Sequence, residues 1–147
     1  MSVAAPVPVM FRWLCQLRLA PYSYDWIDNL GRRSPKELVP GVERLEIGQR
    51  VMTIFRLVDF EPDRHLTVLL RGSRLFGDVA CTYLVTPQGD EHCRLAVKLL
   101  VNYPGPAPAT LLARTLLPAG DLVMMRRQLL NLKGLAEASV SRPASRP

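Results

Sequence analysis

A chain of 147 residues with 48% hydrophobic and 22% charged residues has the length and composition of one domain with a sizeable core, which excludes a disordered or fibrous protein. No apolar run reaches the roughly 18 residues of a membrane-spanning helix, so stable membrane insertion is not expected. The net charge of +6 comes from basic residues scattered among 13 acidic ones, with only Arg32-Arg33 and Arg126-Arg127 adjacent, so no nucleic-acid partner is expected.

From Val7 to Leu19 the apolar positions Met10, Phe11, Trp13, Leu14 and Leu17 recur at helical spacing, leaving Arg12, Gln16 and Arg18 for the opposite side. Pro21 ends this helix, and residues 22–30 form a turn or short helix closed by Gly31. Ser34-Pro35-Lys36-Glu37 has the spacing of a capping box with proline at the first helical position, which predicts a short helix stopping before Pro40-Gly41. After Gly48 the chain turns to β-branched and aromatic runs, and strands are predicted over about 50–60, 65–71, 76–86 and 93–103. Their connectors are short, which favours antiparallel hairpins. In the last strand Cys93, Leu95, Val97, Leu99 and Val101 alternate with Arg94, Ala96, Lys98, Leu100 and Asn102, as a sheet with one wetter face requires. A loop over 104–108 precedes an apolar helical stretch over 110–117, then a predicted break at Pro118-Ala119-Gly120 with Asp121 as N-cap of the last helix. The apolar stripe of that helix runs through Leu122, Met125, Leu129, Leu132 and Ala136, with Arg126, Arg127, Gln128, Asn131 and Lys133 on other faces. Such a helix must lie against the sheet. The domain is read as 1–138, and 139–147 as a disordered, Pro-rich tail.

The opening residues lack the basic and unbroken apolar regions of a secretory signal, which makes the cytoplasm the expected compartment. Cys15, Cys81 and Cys93 follow no disulfide or metal spacing and read as reduced, mostly buried thiols. The excess of Arg over Lys, with abundant Ala, Leu and Pro, suggests a GC-rich bacterial genome.

The densest chemistry lies in residues 20–29, which hold two of the four Tyr, one of the two Trp and two carboxylates. Tyr22, Tyr24 and Trp26 present aromatic bodies with polar tips, which suit the mouth of a cavity and suit packing against the first helix equally well. Asp25 and Asp28 share a face if helical and are the candidate acid and base for a bound carbonyl compound. Their structural reading is a charge at a helix N-terminus and a shaped approach to Gly31. Tyr83 and Tyr103, on different strands, can point inward, and the Met124-Met125 pair suits variable apolar ligands as well as ordinary core. His65 and His92 have no second ligand at metal spacing, and neither Ser23 nor Ser34 has a nucleophile's context. No phosphate or dinucleotide loop is present, so neither metal nor cofactor is expected.

Residues 11–35, from Phe11-Arg12-Trp13-Leu14 through Pro21-Tyr22-Ser23-Tyr24-Asp25-Trp26-Ile27-Asp28-Asn29 to Pro35, resemble the opening of a bacterial subgroup of the SRPBCC superfamily, the START-like and polyketide cyclase/dehydrase group. Gly120-Asp121-Leu122-Val123-Met124-Met125-Arg126-Arg127-Gln128 to Lys133 is similar to its closing helix, so the resemblance spans about Val3 to Ala136. It implies an α+β helix-grip fold, in which a curved antiparallel sheet wraps a long C-terminal helix, with short helices after the N-terminus and a hydrophobic cavity between sheet and helix. Members use that cavity for lipids, hormones, polyketides or aromatic intermediates, and only some are enzymes. The expected role is therefore binding of a small hydrophobic molecule, with a cyclase or dehydratase acting on a polyketide-type substrate, or a protein-interaction or stress-associated module, as alternatives.

Tyr83, Leu95, Val97, Leu99, Leu122, Met125 and Leu129 are the expected walls, and Tyr22, Tyr24 and Trp26 the expected entrance. Where Arg56 points bears on whether an ionisable group enters the cavity. The superfamily's first strand has only Met1 to Pro6 to come from, so the sheet edge is expected to be covered by a stub around Val3, by residues upstream, or by a second copy in a homodimer.

Overall fold

The computed structural model describes residues 1–23, 33–73, 77–102 and 108–141, except for the side chains of 73 and 108–122. In chain order the elements are β1 (Ser2–Val3), α1 (Val7–Cys15) with a 3-10 turn (Gln16–Arg18), β2 (Arg50–Val51), β3 (Phe55–Glu61), β4 (His65–Ser73), β5 (Gly77–Pro87), β6 (Cys93–Asn102) and α2 (Pro108–Ser141). The strands form one antiparallel sheet in the order β1, β6, β5, β4, β3, β2. This is the helix-grip arrangement, a curved sheet with a short N-terminal and a long C-terminal helix.

Period-two burial explains which way the sheet faces. Val79, Cys81, Tyr83 and Val85 of β5 are buried, whereas Asp78, Thr82 and Leu84 lie nearer solvent. Leu66 and Val68 of β4 and Cys93 and Leu95 of β6 join the buried side. Against that inner face α1 lays Met10, Phe11, Trp13 and Leu14, and α2 lays Leu129, Leu132 and Ala136. The last turns of α2 are tied to β1: Lys133 Nζ donates to the Ser2 carbonyl at 2.8 Å, and the Ala4 N–H donates to Glu137 Oε1 at 2.8 Å. All three cysteines are buried, and none forms a disulfide.

The stub around Val3 is present, pairing Ser2 with Arg94 and Val3 with Cys93. It reaches as far as Leu95, which exchanges both backbone bonds with Met1. Leu95 therefore turns its amide and carbonyl toward β1, and by alternation Val97, Leu99 and Val101 turn theirs to the same edge. Among the described residues no strand pairs with that edge.

Five expectations need correction. The predicted helix at Ser34 is absent: residues 33–39 are irregular, because the Gln16 side chain takes their backbone bonds. Its Nε2 donates to the Glu37 carbonyl and its Oε1 accepts from the Val39 N–H. The predicted strand over 50–60 is divided by a turn at residues 52–54, where Met52 and Thr53 take left-handed φ values of 46° and 68°. The predicted break at Pro118 does not occur, since α2 runs unbroken for 34 residues and Asp121 is interior rather than a cap. Proline removes one backbone hydrogen bond and crowds the preceding turn, but it does not oblige a long helix to end. That helix also continues through Ser141, past the boundary expected for the tail. Finally, Gln16 and Gln128, expected on the polar faces of their helices, are both buried.

Candidate functional site

The inner face of the sheet and α2 pack against each other, and that packing is graded along its length. At the end where β1 meets β6, Val3, Leu95, Leu132 and Ala136 are fully buried. Further along the same faces Val97, Leu99 and Met125 are only half-buried, as are Met52 and Phe55 from the opposite side of the sheet. Burying a large apolar side chain fully stabilises a fold by roughly 1.5–3 kcal/mol, so these side chains contribute less to stability than those at the β1 end.

A polar cluster sits where the two halves meet. Tyr83 Oη donates to Gln128 Oε1 at 2.6 Å, and Gln128 Nε2 donates to the Pro21 carbonyl at 2.5 Å and contacts Met52 Sδ at 3.2 Å. A carbonyl only accepts, so the Pro21 contact fixes which end of the amide is nitrogen. Asn131 Nδ2 donates to the Tyr22 carbonyl at 2.8 Å. Tyr22 Oη accepts from Gln16 Nε2 at 2.9 Å, and its ring meets Trp13 edge-on at 6.2 Å. Trp13 Nε1 in turn donates to Ser139 Oγ at 2.9 Å. Three side-chain amides and two aromatic rings thus hold Pro21-Tyr22, the stem from which the aromatic segment departs, against α1 and α2. Tyr22 is itself left-handed, with φ 57°.

Of the expected cavity residues, Tyr83 and Leu95 are fully buried on the inner face, Val97, Leu99 and Met125 are half-buried on the same two surfaces, and Leu129 is buried. The structure brings these together. Tyr22 is buried against Trp13, the packing alternative for that residue. Tyr24, Trp26, Asp25, Asp28, Tyr103 and the Leu122 side chain lie outside the described residues. Arg56 is exposed and donates to the Gly48 carbonyl at 2.9 Å, away from the interior. Gln128 and Gln16 were missed because each interrupts no apolar stripe, and a polar residue at a flanking position carries no sign of whether a neighbour will satisfy it.

Two surface depressions lie elsewhere. One, about 470 Å³, is on the outer face of the sheet. There His65 Nε2 is 2.8 Å from Asp59 Oδ2 and its Nδ1 is 3.8 Å from Glu61 Oε2, beside the paired hydroxyls of Thr67 and Thr82. The other, about 290 Å³, is formed by Tyr22, Ser23 and residues 34–36 against Leu130, Asn131, Gly134 and Leu135 of α2. Among the described residues no group of His, Cys, Asp or Glu is arranged to hold a metal ion. No helix among them is long and apolar enough to cross a membrane. Burial pushes the Cys15 thiol up to about 12, with Glu43 and Asp63 adding to the shift against Arg18, and burial raises Cys93 as well.

No protein-family model and no curated protein matches the chain. Among solved structures it is similar to the crystal structure of the Zhui aromatase/cyclase from Streptomyces sp. R1128, with 20% identity over 99% of this chain and 94% of that one and a TM-score of 0.61. A solution structure from Thermobifida fusca matches with 14% identity over 94% of this chain and 90% of that one, at a TM-score of 0.59. At such identities the likeness is one of fold.

Proposed function

We propose that this protein belongs to the START-like and polyketide cyclase/dehydrase group of the SRPBCC superfamily and binds a small hydrophobic molecule, such as a lipid, polyketide or aromatic metabolite, between its sheet and α2. The observation that carries this reading is the half-burial of Val97, Leu99 and Met125 on the same inner faces that bury Leu95, Leu132 and Ala136 fully. Tyr83, Leu95, Val97, Leu99, Leu122, Met125 and Leu129 are the proposed walls, and Tyr24 and Trp26, which follow the buried Tyr22, the proposed entrance. A carrier role needs only an apolar cavity and a polar anchor. Gln16 and Gln128 are buried amides, neutral polar anchors of the kind that carriage requires.

The second reading is a cyclase or dehydratase, favoured by the fold shared with the Zhui aromatase/cyclase. In that reading Asp25 and Asp28 supply the acid and base. Native mass spectrometry of freshly purified protein, before and after addition of 2-ethylnaphthalene, tests binding. A co-purifying adduct of small-molecule mass, or uptake of the probe at one equivalent, is expected. A bare polypeptide mass under both conditions contradicts the proposal.

A further inference from the structure

Gln128 is the buried polar side chain of α2 among the described residues. It is 4% exposed, and each of its polar atoms is engaged. The Tyr83 hydroxyl has one proton, and the 2.6 Å contact commits it to Gln128 Oε1. The approaches of that hydroxyl to Met52 Sδ and Met125 Sδ, at 3.8 and 3.9 Å, are therefore packing contacts. On the nitrogen, one N–H is held by the Pro21 carbonyl, and the other rests on the Met52 thioether. Sulfur of this kind is a weak acceptor, so one buried donor is satisfied by the poorest partner available in a protein.

The way Met52 reaches this position is also unusual. Residues 52–54 connect β2 to β3, and both Met52 and the β-branched Thr53 adopt left-handed backbone conformations that such residues rarely take. The turn is held by the Met52 N–H on the Leu17 carbonyl at 2.9 Å and the Ile54 N–H on the Met52 carbonyl at 2.8 Å. It leaves Ile54 57% exposed while the half-buried Met52 meets the amide. Backbone strain persists where its surroundings impose it, and it concentrates at ligand clamps. Methionine, unbranched and with three rotatable bonds, is the side chain best able to leave without disturbing the turn.

We infer that Met52 is a place-holder and that a ligand oxygen displaces its sulfur to accept that N–H of Gln128, selecting hydrophobic molecules that carry a neutral carbonyl. The inference rests on the cavity reading and narrows its ligand class. A carboxylate is disfavoured, since one neutral donor among thioethers and aliphatic groups does not offset the desolvation of an anion.

The test compares 2-acetonaphthone with 2-ethylnaphthalene, which has nearly the same shape and no oxygen. The ratio of the two affinities, from NMR titration, is the readout for each protein. The unaltered protein prefers the ketone about three- to tenfold, the worth of one net hydrogen bond. Met52→Leu raises that preference, because no sulfur has to be displaced, and Gln128→Met brings the ratio to about one. The side-chain amide cross-peaks of Gln128 move with the ketone and not with the hydrocarbon, a readout that survives if Gln128→Met fails to fold. Equal affinities with unmoved Gln128 peaks overturn the anchor and leave the cavity standing. Binding of neither probe overturns the cavity and the anchor together.

Discussion

The two halves of the interior are built from the same elements and packed differently. Where β1 meets β6, the sheet's inner face and the C-terminal turns of α2 close on each other, and Leu95, Leu132 and Ala136 lose all contact with solvent. Two to six residues further along β6, Val97, Leu99 and Val101 continue the same alternation without being covered to the same degree. The difference teaches that one face can serve two purposes: the sealed half supplies stability, which frees the other half from having to pack. Gln128 and Tyr83 stand at the boundary, where a polar pair costs the sealed half little and offers the open half a handle.

The largest expected effect falls in the sealed half. Leu132→Ala should lower unfolding free energy by about 2–5 kcal/mol in urea titrations, because a fully buried leucine leaves a cavity its neighbours cannot fill. Leu99→Ala should cost only about 1 kcal/mol, since that side chain is already partly in solvent. Equal losses at the two sites would erase the distinction between the halves.

Gln16→Leu comes next, at about 1–3 kcal/mol, since it strands the Val39 N–H, the Glu37 carbonyl and a partner of Tyr22. Amide hydrogen exchange should locate the loosening at residues 37–39 and spare β5. A global change with no local excess would show that this glutamine acts through general packing instead.

Alkali should sharpen the comparison further. Cys15 has its thiol raised by burial to about 12, above its ordinary value, so the folded state holds its proton after the unfolded chain has released it. Stability is then complete below about pH 9 and declines as pH rises through the 9–12 window. Cys93, raised in the same direction, adds to the slope. Cys15→Ala should flatten most of the decline in thermal midpoint over that window, and an unchanged slope would contradict the assignment.

The smallest effect concerns the open edge. Val97, Leu99 and Val101 present three amides and three carbonyls beyond the stub, and Leu100 beside them is 58% exposed on the outer face. A homodimer formed by two copies of β6 running antiparallel would satisfy these groups over an area too small for tight association. Sedimentation should show a weak, concentration-dependent dimer that Leu100→Lys abolishes. A monomer at all concentrations would sink it.

Much of the architecture was legible in the residues. The strict alternation of β6 and the turn-bounded runs before it fixed an antiparallel sheet, and the apolar stripe of Met125, Leu129, Leu132 and Ala136 fixed which helix would cover it. What stayed hidden was decided by partners distant in sequence. Ser34 to Glu37 carries a sound local helix signal, yet a glutamine some twenty residues away claims its backbone. Pro118 is a breaker by local rules, and the turn at 52–54 contains neither glycine nor proline to announce it. For the site, apolar wall positions followed from periodicity, whereas Gln128 did not, because a hydrogen bond to Tyr83 across 45 positions leaves no trace in spacing.

The most direct test of a divided interior is a methyl-resolved NMR titration with 2-ethylnaphthalene. Shifts concentrated at Val97, Leu99, Met52 and Met125, with Leu132, Ala136 and Val3 unmoved, are the predicted result. Shifts confined to Leu84 and Ala96 on the outer face, or none anywhere, would contradict it.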